Sequence, residues 1–398
     1  MRIIALSACL CVAHLAEAQP FEWTQLTAFP GTARDDASAF AIGSGIYLGT
    51  GREVGWGFTT DWFRFDVDLG TWENVAPLPA SGRQYCTAFS IDGIGYLFGG
   101  NNDDGWLNEL WSYDPSNDSW EQRASPPTAG RSGSVSFVIN GSAYIVTGRI
   151  GANTLSNALW RYDPLSDSWS EGSTMPGPAR HLAAAFTLDG RAYVVGGADD
   201  QGTNLASGWC YDASTATWTA LPDLPDARFG ADGYSVSGYG LIVGGATNAS
   251  NFPETCYWYR PWDDTWVMAT EPAPGVRKGG SGAAVADHVY YGTGVNNVER
   301  LNDWHRMDVP VSISSVEPTA GLSLSPVPAT DHIQLHGTLT PQFGDATLWS
   351  IRGEFLGTMN AMDLQRPIKV AHLVPGTYVL KVNIGGGQLT FRFIRMEE

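Results

Sequence analysis

The stretch Arg180-His181-Leu182-Ala183-Ala184-Ala185-Phe186-Thr187-Leu188-Asp189-Gly190-Arg191-Ala192-Tyr193-Val194-Val195-Gly196-Gly197 decides the fold. Two short apolar runs flank Asp189-Gly190, a pair suited to a type I′ turn because both central residues need positive φ. The reading is a β-hairpin whose second strand ends on paired glycines, where backbones approach closely. Asp92-Gly93 and Asn140-Gly141 stand at the equivalent place, as do Gly99-Gly100 and Gly244-Gly245.

The stretch recurs. Arg34, Arg83, Arg131, Arg180, Arg228 and Arg277 follow one another at intervals of 49, 48, 49, 48 and 49 residues. Trp23, Trp72, Trp120, Trp169, Trp218 and Trp266 keep intervals of 49, 48, 49, 49 and 48. Two residue types holding one period mark internal repeats. Between each hairpin and the next Trp lies a variable polar segment and a run such as Leu159-Trp160-Arg161-Tyr162-Asp163-Pro164, in which Asp-Pro opens a bend. Each repeat therefore reads as four antiparallel strands, A to D. One such sheet cannot bury both faces, but six stacked radially can, as a β-propeller. Phe21-Glu22-Trp23-Thr24-Gln25-Leu26 is a strand D with no repeat before it, and the repeat opened by Arg277 has no Trp due near residue 315. The N-terminal strand within 21–30 is thus expected to complete blade six and remove an open edge.

The glycine pair after an apolar strand, the Tyr-Asp pair and the Trp a few residues on resemble the Kelch-repeat family over residues 21 to 310. That resemblance implies a six-bladed Kelch β-propeller. The fold class expected is all-β, with the propeller over 19–310 followed by a small β-sandwich C-terminal domain. The composition agrees: Gly is 47 of 398 residues, Trp 16, and charged residues only 16% against roughly 25% in an average soluble protein. With 23 basic against 41 acidic residues and a net charge of −18, nucleic acid is not an expected partner, since phosphate backbones are bound by basic surfaces.

Residues 1–18 have a short basic start, an apolar run from Ile3 to Leu15 and Ala16-Glu17-Ala18 before Gln19, the pattern of a secretory signal peptide. Leu6-Ser7-Ala8-Cys9 offers a lipobox instead, but with an apolar run of about six residues where ~7–15 is usual. No other segment is long and apolar enough for a transmembrane span. Cys86, Cys210 and Cys256 remain after signal removal, an odd number that reads as small buried side chains rather than a disulfide scaffold.

Residues 311–319 read as a linker and 320–398 as a second domain, with alternating strands in Tyr378-Val379-Leu380-Lys381-Val382 and Leu389-Thr390-Phe391-Arg392-Phe393-Ile394. The tail resembles the C-terminal sorting domain of type IX secretion in gram-negative bacteria. The residues that carry the likeness are Leu322-Ser323-Leu324-Ser325-Pro326-Val327-Pro328, Leu348-Trp349-Ser350-Ile351-Arg352-Gly353 and Leu373-Val374-Pro375-Gly376-Thr377-Tyr378. The resemblance implies export through the periplasm, the type IX machinery as a partner through 320–398, and a secreted or cell-surface location.

Antiparallel order puts the D–A and B–C loops on one face of the disc. Arg34, Arg83, Arg131, Arg180, Arg228 and Arg277 precede the innermost strands, so they are expected to ring the channel mouth and hold an anionic glycan or protein ligand. The competing reading makes each an architectural staple. Trp56 and Trp106, in consecutive B–C loops beside glycines, are the other candidate ligand contacts. No metal site or cofactor is expected, because the propeller's His181, His288 and His305 share no ligand spacing. No catalytic residue is assignable. The leading expectation is a binding module. The alternative is a carbohydrate-active enzyme, since the chain resembles exported six-bladed Kelch proteins that mutarotate sialic acid. A carboxylate or His deep in the mouth with a shifted pKa would favour the enzyme.

Overall fold

The computed structural model describes residues 21–261 and 263–308, and in the tail Ser323–Ser325, 331–336, 343–350, 355–360, 364, 366–374, 376–384 and 387–395. The expected signal peptide at 1–18 and linker at 311–319 fall outside the described residues. Six four-stranded antiparallel sheets follow one another along the chain. In blade four, A is Ala184–Leu188, B Arg191–Val195, C Gly208–Asp212 and D Thr217–Leu221. The A–B turns form as Asx-Gly chemistry requires: Asp92 and Gly93 have φ of 48° and 82°, and Asp189 and Gly190 49° and 72°. Asp114 and Asp163 accept the backbone N–H two residues on, fixing the C–D bends.

Burial peaks at strand B, while the innermost strand A alternates buried and half-buried along the channel. Strand B is nearly all buried while strand D alternates exposed and half-buried. Each sheet then packs its aromatic rows on the next, for example Tyr113 against Phe40 and Tyr47 at 6.4 and 5.3 Å. The repeated tryptophans sit at these seams. The indole N–H of Trp72, Trp120, Trp169, Trp218 and Trp266 donates to a carbonyl of the preceding blade, at 2.7 to 3.0 Å.

Strand Glu22–Gln25 pairs with Trp304–Asp308, placing Trp23 opposite Met307 and completing the sixth sheet. Phe21 is buried there, 5.5 Å from the Trp258 ring. Trp23 is only half-buried, and its indole N–H has no partner.

Two closed circuits of backbone hydrogen bonds tie the blades together. In the first, the glycine after strand B donates to the carbonyl of the next repeat's arginine: Gly51 to Arg83, Gly100 to Arg131, Gly148 to Arg180, Gly197 to Arg228, Gly245 to Arg277 and Gly294 back to Arg34, all at 2.8–2.9 Å. A Cβ on Gly99 would crowd the Arg131 carbonyl, whereas Thr50, Thr147 and Thr293 occupy the same place in three other repeats. In the second, Tyr85 donates to Asp36, Gly133 to Tyr85, Leu182 to Gly133, Gly230 to Leu182, Gly279 to Gly230 and Asp36 to Gly279, at 2.8–3.2 Å. All six residues of this inner circuit have φ between 52° and 63°.

The tail forms a three-stranded sheet, ordered Ser323–Ser325, His332–His336, Ile368–Lys369. A four-stranded sheet follows the order Phe355–Met359, Phe343–Ser350, Gly376–Ile384, Gly387–Arg395. Ile333, Leu348, Val370, Tyr378 and Leu380 share their core. The three cysteines are free thiols. Burial pushes Cys86 up to about 11 and Cys256 to about 12, so neither is a reactive thiolate at neutral pH. No helix among the described residues is long and apolar enough to cross a membrane.

Candidate functional site

The six repeated arginines lie inside the blades, each 0–1% exposed. In every repeat one Nη donates to the carbonyl 16 residues on, at the end of strand B: Thr50, Gly99, Thr147, Gly196, Gly244 or Thr293. A second bond reaches toward the start of strand C. Arg34 forks onto Asp61 at 2.5 and 2.9 Å and Arg277 onto Asp303 at 2.6 Å, while Arg83 pairs with Glu109 at 2.6 Å. Arg228 bonds the Thr255 carbonyl and pairs with Asp226 at 3.1 Å. Arg131 and Arg180 instead bond the carbonyls of Ala158 and Ser207, and burial lowers both to about 10. These guanidinium groups staple three segments of their own blade. The expected ring of anion-binding forks is therefore corrected, because the donors are buried and turned onto the chain itself.

The mouth is built by the two residues after each arginine. These are Asp35-Asp36, Gln84-Tyr85, Ser132-Gly133, His181-Leu182, Phe229-Gly230 and Lys278-Gly279. The second of each pair forms the inner hydrogen-bonded circuit. Three positions are glycine, and three carry side chains in the left-handed region that such residues rarely adopt, a form of strain that collects at functional sites. The Asp36 carboxyl and the Tyr85 phenol interact across neighbouring blades. Burial, then the neighbouring Asp35, holds the Asp36 carboxyl well above the usual carboxylate range, against the pull of Lys278 and Arg300. The Asp36 charge, then burial, raises the Tyr85 phenol. Gly279 leaves room for this carboxyl: a Cβ there would sit 2.2 Å from Asp36 Oδ1.

The cations at the mouth do not repeat. Arg300 donates to Asp35 at 2.5 Å, and both Arg300 and Arg52 lie over the Trp56 ring, at 4.5 and 4.6 Å from its centroid. Trp56 is 64% exposed and has φ of 73°. Its role is thus to hold two guanidinium groups beside the mouth. Lys278 lies over Phe229 at 5.2 Å. Among the described residues neither Arg52 nor Lys278 makes an ion pair. Trp106, 36% exposed, lines a separate pocket on blades two to four.

Below the circuit a cavity of about 270 Å³ runs between the innermost strands. Asp232 lines it, accepting the Tyr234 hydroxyl at 3.2 Å, and burial raises its carboxyl to about 7. No three His, Cys, Asp or Glu side chains among the described residues are grouped to hold a metal ion.

The sequence signal that points to Asp36, Tyr85 and Lys278 is negative: they sit where the repeats agree least, one or two residues after the residue on which they agree most. Asp232 has a weaker signal, a charge in a strand whose counterparts are small or apolar.

Residues 8–197 match the KLHDC2/KLHL20/DRC7 Kelch-repeats domain, and residues 179–225 match the Kelch motif. No curated protein sequence matches the chain. Among solved structures, that of YjhT superposes with a TM-score of 0.63 at 19% identity, covering 72% of this chain and 98% of that one. At that identity the likeness speaks for the fold alone. The chain thus carries Kelch repeats and folds as a six-bladed Kelch propeller followed by a small β domain.

Proposed function

We propose that this propeller is a binding module for a small acidic sugar, taken at the channel mouth by Arg52, Lys278 and Arg300 around Asp36. The observation that carries the reading is the pairing of non-repeated cations with a carboxyl that burial pushes toward its neutral form. A neutral Asp36 donates a hydrogen bond and does not repel an anion, whereas an ionised one would. Arg300 and Arg52, stacked on Trp56, are preorganised for a carboxylate. The size of the cavity suits a small ligand or one terminal unit of a chain.

A second reading follows from Asp36 and Tyr85 together. Mutarotation of a sugar requires a proton delivered to the ring oxygen and one removed from the anomeric hydroxyl. A carboxyl pushed toward its neutral form beside a phenol offers both a donor and an acceptor. This favours the sialic acid mutarotase or epimerase alternative over chemistry that needs a metal-activated water.

Titration calorimetry of the full chain with sialic acid and with galacturonic acid tests the first reading. Lys278→Met and Arg52→Gln are each expected to weaken binding at least tenfold. Absence of binding by either acid would overturn it. The second reading is tested by NMR of freshly dissolved sialic acid: anomer exchange should be accelerated by the wild type and not by Asp36→Asn.

We further propose export by the signal peptide and delivery to the cell surface or medium through 320–398. Fractionation of cells making the chain without 320–398 should find it in the periplasm; its appearance outside would refute the sorting role.

A further inference from the structure

A second pocket of about 160 Å³ opens on the mouth face, lined by Tyr85, Asn101, Trp106, Ser132, Arg149 and His181, with Gly133 and Leu182 at its inner edge. None of its lining residues is acidic. Arg149 donates to the Ala152 carbonyl at 2.6 Å and meets His181 Nε2 at 3.3 Å. Since an arginine only donates, Nε2 accepts, and the ring proton sits on Nδ1. Burial, then the Arg149 charge, lowers His181 to about 4, so the imidazole is neutral and leaves Arg149 as the pocket's one full charge at neutral pH. Arg149 keeps further N–H donors beyond those two bonds. Trp106 supplies an apolar ring beside it, and Asn101 and Ser132 supply amide and hydroxyl groups. An anchored guanidinium, a flat aromatic wall and neutral polar groups are the chemistry that holds an acidic pyranose.

This pocket is not isolated. Tyr85, Gly133 and Leu182 line both it and the channel cavity, so the two adjoin across the inner circuit, with the Leu182 side chain packed beside Gly133. Each volume lies below the ~300–1,000 Å³ of a usual small-molecule site, as suits a place for one unit of a longer ligand. We infer that the mouth takes an acidic oligosaccharide of at least two units, one beside Asp36 and the next against Trp106 and Arg149. This inference rests on the acidic-sugar reading of the mouth and specifies the length of the ligand.

The test uses the full chain and two probe pairs: sialic acid with α2,8-linked disialic acid, and galacturonic acid with its α1,4-linked dimer, compared by titration calorimetry. In at least one pair the dimer is expected to bind at least tenfold more tightly than the monomer. Arg149→Gln and Trp106→Ala should each erase most of that gain while leaving monomer affinity within twofold. Trp106 lies in a two-residue strand paired with Asn101–Asn102 at the surface, outside the four-stranded sheets, so its variant keeps the test valid if Arg149→Gln lowers the melting temperature. A monomer that binds as tightly as its dimer overturns the two-unit site and leaves the acidic-sugar reading standing. Failure of all four probes to bind overturns both.

Discussion

The six repeated arginines and the four non-repeated cations of the mouth face, Arg52, Arg149, Lys278 and Arg300, carry the same charge to opposite ends. The first set is buried and faces its own blade, with partners at constant offsets along the chain. The second set is partly exposed and faces aromatic rings, a histidine or the neighbouring Asp35. In a ring of equivalent blades, whatever every blade keeps serves what every blade needs, which is closure. A ligand without six-fold symmetry is met where the blades differ.

The sharpest way to break this division is to remove staples. Arg277→Ala is expected to cost about 3–5 kcal/mol, since it breaks the ion pair of a fully buried arginine and leaves the half-buried Asp303 carboxylate to His305 alone. Burial opposes the Asp303 charge, but hydrogen bonds from His305 and Arg277 hold its carboxyl down at about 2. Arg131→Met should cost less, about 1–3 kcal/mol, because it leaves two carbonyls unpaired but no carboxylate. Urea unfolding measures both, and equal losses would mean that the carboxylate partners add nothing.

At the closing seam the repeated tryptophan is the weaker member. Phe21→Ala should cost about 3–5 kcal/mol, as for a buried aromatic, and Trp23→Ala clearly less. The reverse order in melting temperature would show that the half-buried Trp23 carries the seam.

Asp232→Asn probes the channel beneath the mouth. The carboxyl's folded pKa of about 7 lies above its ordinary value of 3.8. Well below pH 3.8 both states are protonated and the group has no effect. As pH rises toward 7 the unfolded chain ionises first, so the native state loses stability relative to an amide. The variant should therefore be more stable by about 1–3 kcal/mol above pH 7, and the gain should vanish well below pH 3.8. A gain independent of pH would exclude titration as its origin.

The smallest effect on stability is expected at the mouth. Arg52→Gln should stay within about 0.5 kcal/mol of wild type in unfolding while binding of the acidic sugar falls at least tenfold. Loss of stability without loss of affinity would move Arg52 into the structural set.

Periodicity made the blades legible, since two residue types in register admit few architectures. The same periodicity misled about the arginines. A repeated charge looks like a ligand ring from spacing alone, and only the bonds to Thr50, Gly99 and their counterparts reveal the staple. Asp36 and Tyr85 escaped because a departure in one blade of six resembles drift. Trp56 was visible as a loop aromatic, but its two guanidinium neighbours come from Arg52 and from Arg300, 248 residues further along the chain. No local pattern joins them. In the tail, alternation around Tyr378 and Phe391 sufficed for the paired strands Gly376–Ile384 and Gly387–Arg395.

The closing strand also sets an order in time. Glu22–Gln25 leaves the ribosome early, yet its partner Trp304–Asp308 follows only after the rest of the propeller. At ~5–20 residues per second, that wait is on the order of tens of seconds. Through that interval one apolar segment waits without its sheet and the unfinished ring has an unpaired flank. Any factor that holds the nascent chain has to shield this segment first and release it last.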